Sequence, residues 1–327
     1  MCVVFFIQNH PKYRLVVAGN RDEYLDRPTA RAHYWDMAPD VLAGTDKAFE
    51  TNYKSQLMQQ RIDTSSTSIS TGQDTPELSI APDESNGTWM GITRHGKFAF
   101  ITNHREPLSK RSPTAKSRGF LVRDFLLYNH TYNGTEQEED VAQKYALSLE
   151  KHANEYGGFN LIVGDVYGKS WYIGNRMNVP ITGLNSGVVY GLSNGVLLEE
   201  KETWPKVKHG KELFELALDQ AMNDRDLLDK LLLILSHSTP YSHEQLPPNM
   251  FDYELEASLS PICINRERLS SGKYATRTHT VMIVNHDNHA IFAEVERYHL
   301  NPNAKSDDLA NQYSQVNSTN VFEFTLQ

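Results

Sequence analysis

The chain has 327 residues, 39% hydrophobic and 22% charged, with a net charge of -9. That length builds one large domain or two small ones with a sizeable core. The acidic balance excludes a dominant nucleic-acid or anionic-membrane surface, which needs clustered Lys and Arg.

Cys2 to Gln8 and Tyr13 to Ala18 are apolar, β-branched runs joined by Asn9-His10-Pro11-Lys12, which predicts a β-hairpin. The run from Cys2 to Ile7 lacks a basic flank and is too short for a signal peptide. No stretch of about 20 apolar residues occurs anywhere, so no transmembrane helix is expected. A cytosolic protein is the default expectation. Residues 51–87 are rich in Ser, Thr, Asp and Pro without periodicity, and are read as a mobile polar insertion. Two strands follow around a turn at Arg94 to Gly96. The basic cluster from Lys110 and Arg111 to Arg118 is interrupted by Pro113 and reads as a solvated loop. Phe120, Leu121, Phe125 and Leu126 are near helical spacing, and the pattern from Glu138 to Tyr156 continues helically. Strands are expected at Phe159 to Asp165, Ser170 to Gly174 and Val188 to Leu192, a helix from Arg225 to Ser238, and a hairpin from Thr276 to Tyr298 turning at His286-Asp287-Asn288-His289. Sequons at Asn86, Asn129, Asn133 and Asn317 are of a kind common by chance.

Strands that come as hairpins, rather than alternating with helices, predict antiparallel sheets covered by a block of helices, an α+β layered fold. No internal repeat is present. The expected organisation is one domain over residues 1–300, carrying the insertion, and a C-terminal tail at 301–327.

Cys2 and Cys263 are too few for a disulfide framework and suit a reducing compartment. Cys263, between Ile262 and Ile264, reads as a small buried apolar residue. Cys2 is different. Removal of Met1, normal when the second residue is small, leaves Cys2 with both a thiol and a free α-amino group. The reference pKa of that amine, about 7.7–8.0, makes it a base near neutral pH, the single-residue form of an activated nucleophile. Taken alone, Cys2 fits equally a small residue that starts a strand. The 13 histidines show no metal-ligand spacing, so no metal site is expected. Trp89 and Trp204 read as packing residues, with Trp204 close to the site proposed below.

The ordered stretches MCVVFF, AGNRDEYLDRP, LAGTD, NGTWMGI, AFITNHREP, GGFNLIVGD, YGLSN, TWPKV and YATRTHTVMIV resemble the NRDE family, also called the transport-and-Golgi-organisation protein 2 family. The resemblance runs from Met1 to about Tyr298, apart from the insertion. The same landmarks are distantly similar to N-terminal nucleophile hydrolases of the choloylglycine type. That similarity implies a four-layer αββα sandwich with two antiparallel sheets, and a site made of Cys2, Asp22, Asn103, Asn194 and Arg277. In it Asp22 would orient the α-ammonium of Cys2, and Asn103 and Asn194 would donate to an oxyanion or contact the substrate. A nearby Arg would favour the thiolate. The chain departs from the pattern at one point: an Arg expected three residues before Asp22 is replaced by Gly19, and Arg21 stands beside Asp22 instead. A shift of two along a strand keeps the same face. Without the resemblance, Asn at strand ends and an Arg21-Asp22 ion pair have ordinary structural explanations.

The family resemblance implies haem mobilisation from mitochondria and other haem-rich membranes, lipid or acyl-CoA homeostasis, and Golgi organisation and secretion. The expected function is intracellular handling of haem or a lipid ligand, as a protein associated with mitochondria or Golgi. Haem would be a carried ligand with Cys2, His10, His104 or His279 available to its iron; an acyl ligand would find a cationic partner in Arg21 and Arg277. The alternative is a cysteine amidohydrolase or acyltransferase acting through Cys2 on a non-peptide C–N bond. Displacement of the arginine favours the carrier, and no cofactor is implied for catalysis.

Overall fold

In the computed structural model the apolar run that opens the chain is β1 (Val3–His10), buried on both faces over most of its length. The structure describes residues 2–48, 86–107, 112, 114–128, 140–197, 204–246, 252–269, 271–301 and 312–327. The insertion read at 51–87 lies outside these residues except for Asn86 and Gly87, as do the sequons at Asn129 and Asn133.

β1 turns into β2 (Tyr13–Tyr24), and β3 (Thr29–Trp35) and β4 (Ala38–Asp46) form the next hairpin. β5 (Met90–Thr93) pairs with β6 (Lys97–Asn103). Two helices follow, α1 (Gly119–Leu127) and α2 (Val141–Ser148). β7 (Phe159–Asp165), β8 (Ser170–Gly174), β9 (Thr182–Gly183) and β10 (Tyr190–Leu192) lead to α3 (Pro205–Gln220), α4 (Asp224–Leu235) and α5 (Tyr253–Leu259). β11 (Tyr274–Asn285), β12 (His289–Leu300) and β13 (Tyr313–Thr325) complete the order. One sheet has the order β10-β1-β2-β11-β12-β13 and the other β3-β4-β5-β6-β7-β8-β9, every neighbouring pair being antiparallel.

Three apolar clusters show how the sheets stack. Val3, Phe5 and Ile7 of β1, with Val16 and Ala18 of β2, pack under α3 and α4 through Val207, Phe214, Leu227 and Leu231. Val4, Phe6, Leu15 and Val17 point the other way, against Phe98, Phe100, Ile162 and Tyr172 of the second sheet. The outer face of that sheet, with Ala99, Leu161 and Val163, is covered by Leu121 and Phe125 of α1 and Tyr145 of α2. The result is the αββα sandwich expected from the resemblance. Both sheets are interior layers, which is why an antiparallel strand such as β1 carries an unbroken apolar run instead of alternation.

The residues after 300 are not a tail along their whole length. β13 pairs with β12 from His289↔Thr325 to Leu300↔Tyr313. Most of its side chains are polar and exposed, so its composition hides the strand, but Phe322, Phe324 and Leu326 alternate onto the core between the sheets.

α3 lies close on β1 because Gly210 has no side chain: a Cβ there would stand 2.0 Å from Cζ of Phe5. The fully buried Phe5 ring has no free direction in which to yield. Gly210→Ala is expected to cost about 1–3 kcal/mol through overpacking, read as a melting temperature several degrees lower. An unchanged melting temperature would show that the helix shifts freely.

Candidate active site at the front of the first strand

Alternation along the paired strands sorts the site. Gly19 and Arg21 follow Leu15 and Val17 onto the face between the sheets, whereas Asn20 and Asp22 follow Val16 and Ala18 toward the helices. Cys2 stands immediately before β1, at its front.

There it lines a cavity of about 20 Å³ together with Gly19, Arg21, Trp89, Met90, Phe100 and Thr102 among others. Such a volume holds about one water. Gly19 and Arg21 both reach it, so the two-residue displacement leaves the arginine at the cavity that Cys2 lines. The Arg21 guanidinium lies 4.4 Å from the Trp89 ring centroid and pairs with Asp46 at 3.1 Å, which Arg27 shares at 2.8 Å. Gly44 makes the seat for the indole, since a Cβ there would stand 2.5 Å from its Cη2.

Burial, with the Asp22 carboxylate, pushes the Cys2 thiol up from its ordinary value, opposed first by the charge of the N-terminal amine and then by the Asp22 backbone N–H and the charge of Arg21. The thiol therefore rests protonated and needs a base. Asp22 is buried and accepts from Thr276 Oγ1 at 2.5 Å. Burial raises its carboxyl, against the charges of the N-terminal amine and Lys206, the Thr276 hydrogen bond and the charge of Arg297.

Asn103 and Asn194 are brought together, but as a brace. Asn194 Nδ2 donates to the Asn103 carbonyl at 2.5 Å, and Ser193 Oγ donates to the Cys2 carbonyl at 2.7 Å. Thr102 Oγ1 donates to the Ser193 carbonyl at 2.6 Å, so the loop after β10 ties the end of β6 to the front of β1. One N–H of the Asn194 amide is thus held by a backbone carbonyl, which fixes its orientation and leaves the second N–H as the donor an oxyanion would use. Arg277 departs further from expectation. The register of β11 on β2 shifts between Thr276 and Thr278, and such a bulge re-aims a side chain. Arg277 Nη1 donates to the Arg27 carbonyl at 2.5 Å and Nη2 to Thr29 Oγ1 at 3.0 Å, bracing the β2–β3 turn. Burial, with the nearby Arg21, pushes its guanidinium down to about 10.

The residues considered for haem iron are dispersed. His10 ends β1 and Cys2 precedes it, roughly 27 Å apart at about 3.4 Å per residue. His104 follows β6, its backbone N–H donating to the Gly158 carbonyl. His279 is buried on the helix side. Asn20 Nδ2 donates to the carbonyls of Leu235 and Ile262, both at 2.8 Å, so Asn20 Oδ1 must accept from His279 Nδ1–H at 2.6 Å. Burial pushes this imidazole down to about 3. Unfolded histidine titrates near 6.5, so below that pH the unfolded chain binds a proton the folded one refuses, and stability falls until about pH 3. His279→Gln keeps an N–H for Asn20 and removes the titration. Between pH 7 and 5 it is expected to lose about 2 kcal/mol less stability than the wild type, measured by denaturant unfolding. Equal losses would mean that His279 is not held neutral.

Two features went unread in the sequence. Arg105, from the stretch AFITNHREP, forms a buried ion pair with Glu256 of α5 and lies over Trp204 at 5.1 Å. Lys206 is fully buried in the first turn of α3. A lysine there opposes the helix macrodipole, and that was the signal within TWPKV. Cys263 is buried as expected, and burial pushes its thiol up to about 11. Among the described residues no His, Cys, Asp and Glu cluster suits a metal ion, and no helix is long and apolar enough to cross a membrane.

Similarity to known proteins extends over the whole chain. The model of the family "Transport and Golgi organisation 2" matches residues 1–54 and 58–299. The chain is 28% identical over 342 residues to the Transport and Golgi organization 2 homolog of Mus musculus, covering 100% of both. It is 30% identical over 308 residues to the Transport and Golgi organization protein 2 homolog of Bos taurus, covering 90% of this chain and 92% of that protein. Among solved structures it is similar to penicillin V acylase from Agrobacterium tumefaciens, at 9% identity and a TM-score of 0.40, over 90% of this chain and 83% of that one.

Proposed function

The chain belongs to the Transport and Golgi organisation 2 family, and from that premise we propose that it handles acyl lipids through Cys2, which takes an acyl group from a thioester or amide and passes it to water. One observation carries this reading: Cys2, half-buried at the front of β1, borders a water-sized cavity in whose lining Arg21 is the charged residue. The space suits a single carbonyl oxygen or a water. Once Met1 is removed, the α-amino group of Cys2 accepts the thiol proton. The sulfur attacks the carbonyl carbon, the amine returns its proton to the departing thiol or amine, and water then releases the acid. Arg21 stabilises the negative charge that develops on the carbonyl oxygen in this dry site.

The test joins intact mass to turnover. The purified protein is expected to lack Met1 and to hydrolyse members of a panel of acyl-CoA thioesters and N-acyl amides. Retained Met1, or no turnover across the panel, would overturn the reading.

A further inference from the structure

A charged lysine with no exposed surface needs a reason. The Lys206 ammonium donates to the carbonyls of Leu259 at 3.2 Å and Pro261 at 3.4 Å, and lies 5.5 Å from the Trp204 ring centroid. These neutral partners take two of its three N–H groups without cancelling its charge, and its position in the first helical turn adds the unfavourable end of the dipole. Two carboxylates act on it, Asp22 and Glu256. Glu256 is paired with Arg105. Asp22, on the helix face of β2, is therefore the counter-charge.

Asp22 accepts from the neutral Thr276 hydroxyl, and buried cations act on it from two elements. The charges of Lys206 of α3 and Arg297 of β12 both favour its ionised form. Arg297 is itself buried, donating to the Thr276 carbonyl at 3.0 Å and to Asn265 Oδ1 at 2.9 Å. Arg21 stands on the opposite face of the same strand, and His279 beside Asn20 is neutral. One carboxylate thus already answers to two buried cations before the α-amino group of Cys2 enters the cluster.

We propose that Lys206 is a positioning residue for Cys2: its buried ammonium balances the charge of Asp22, so that the α-amino group of Cys2 rests unprotonated and takes the proton of the thiol. The inference rests on the reading of Cys2 as nucleophile. In the step it governs, the S–H bond breaks and the proton bonds to the amine lone pair, giving ammonium and thiolate. The thiolate forms the C–S bond to the acyl carbon, and the ammonium hands the same proton to the leaving group. Lys206 gains and loses no proton itself. Burial holds its own affinity for a proton below the ordinary value, as expected of a cation kept in a dry cluster by one carboxylate.

The experiment reads ionisation, not turnover. Iodoacetamide alkylation of Cys2, followed by intact mass from pH 5 to 10, gives the midpoint for thiolate formation. Lys206→Met keeps the length of the side chain and removes the charge. It is expected to raise that midpoint by about one pH unit, close to a tenfold slower alkylation at neutral pH. In the wild type, acylation of the α-amine by a small active ester is expected to show a midpoint below the ordinary range of about 7.7–8.0. An unmoved midpoint in a folded Lys206→Met, or a wild-type amine at or above that range, would overturn the inference. If Lys206→Met does not fold, the wild-type amine decides alone. A depressed amine without turnover supports this inference and sinks the hydrolytic reading. Turnover with an ordinary amine does the reverse, and retention of Met1 defeats both.

Discussion

Replacing Cys2 by serine is expected to reduce thioester or amide turnover by at least about a thousandfold. The exchange preserves the shape of the residue and, after removal of Met1, its free amino group. It substitutes a hydroxyl, whose ionisation lies far above that of a thiol, for the attacking group. The cavity beside it is nearly unchanged in volume, so ligand affinity should fall little. That split between affinity and turnover is the informative readout. Turnover that survives in Cys2→Ser would assign the chemistry to another group, and affinity lost in step with turnover would mean that the sulfur holds the ligand.

The second large effect is on stability. Arg105 and Glu256 are both buried and join the end of β6 to α5. Removing one partner of such a pair leaves the other charge in the interior without its match, at a cost of about 3–5 kcal/mol. Arg105→Met is expected to lower the melting temperature by roughly ten degrees, taking about 2–4 °C per kcal/mol for a large domain. Arg105→Met combined with Glu256→Leu removes both charges and should recover much of the loss. A double variant as unstable as the single one would show that packing of the arginine over Trp204, not its charge, is what the fold uses.

The layered fold was readable where apolar runs are long. β1, β2, β11 and β12 announce themselves because both their faces are buried, and α4 through Leu227, Leu228, Leu231 and Leu235. α3 was not read as a helix, since Gly210 interrupts its apolar face and lysines occupy its first turns. β13 escaped because an edge strand with one wet face needs few apolar residues.

The site divides in the same way. Cys2, Arg21 and Asp22 are neighbours across two strands in fixed register, so local pattern suffices to bring them together. Arg277 required knowledge of a bulge, which depends on how β11 meets β2 and leaves no mark in composition. Asn194 was read as an oxyanion donor, yet its amide answers first to the Asn103 carbonyl, a partner 91 residues away in the chain. Lys206 was hidden because burial of a cation is a tertiary fact, visible only when Asp22 and the carbonyls of Leu259 and Pro261 are assembled around it.

The most direct test of Cys2 as the acyl-accepting group is to look for the acyl group on it. Wild-type protein is mixed with an acyl thioester, denatured within seconds and weighed intact, with the N-terminal peptide then sequenced by fragmentation. The account predicts a mass increase equal to the acyl group, carried by Cys2 and absent from Cys2→Ala. Turnover that proceeds without any adduct, and equally well in Cys2→Ala, would contradict it.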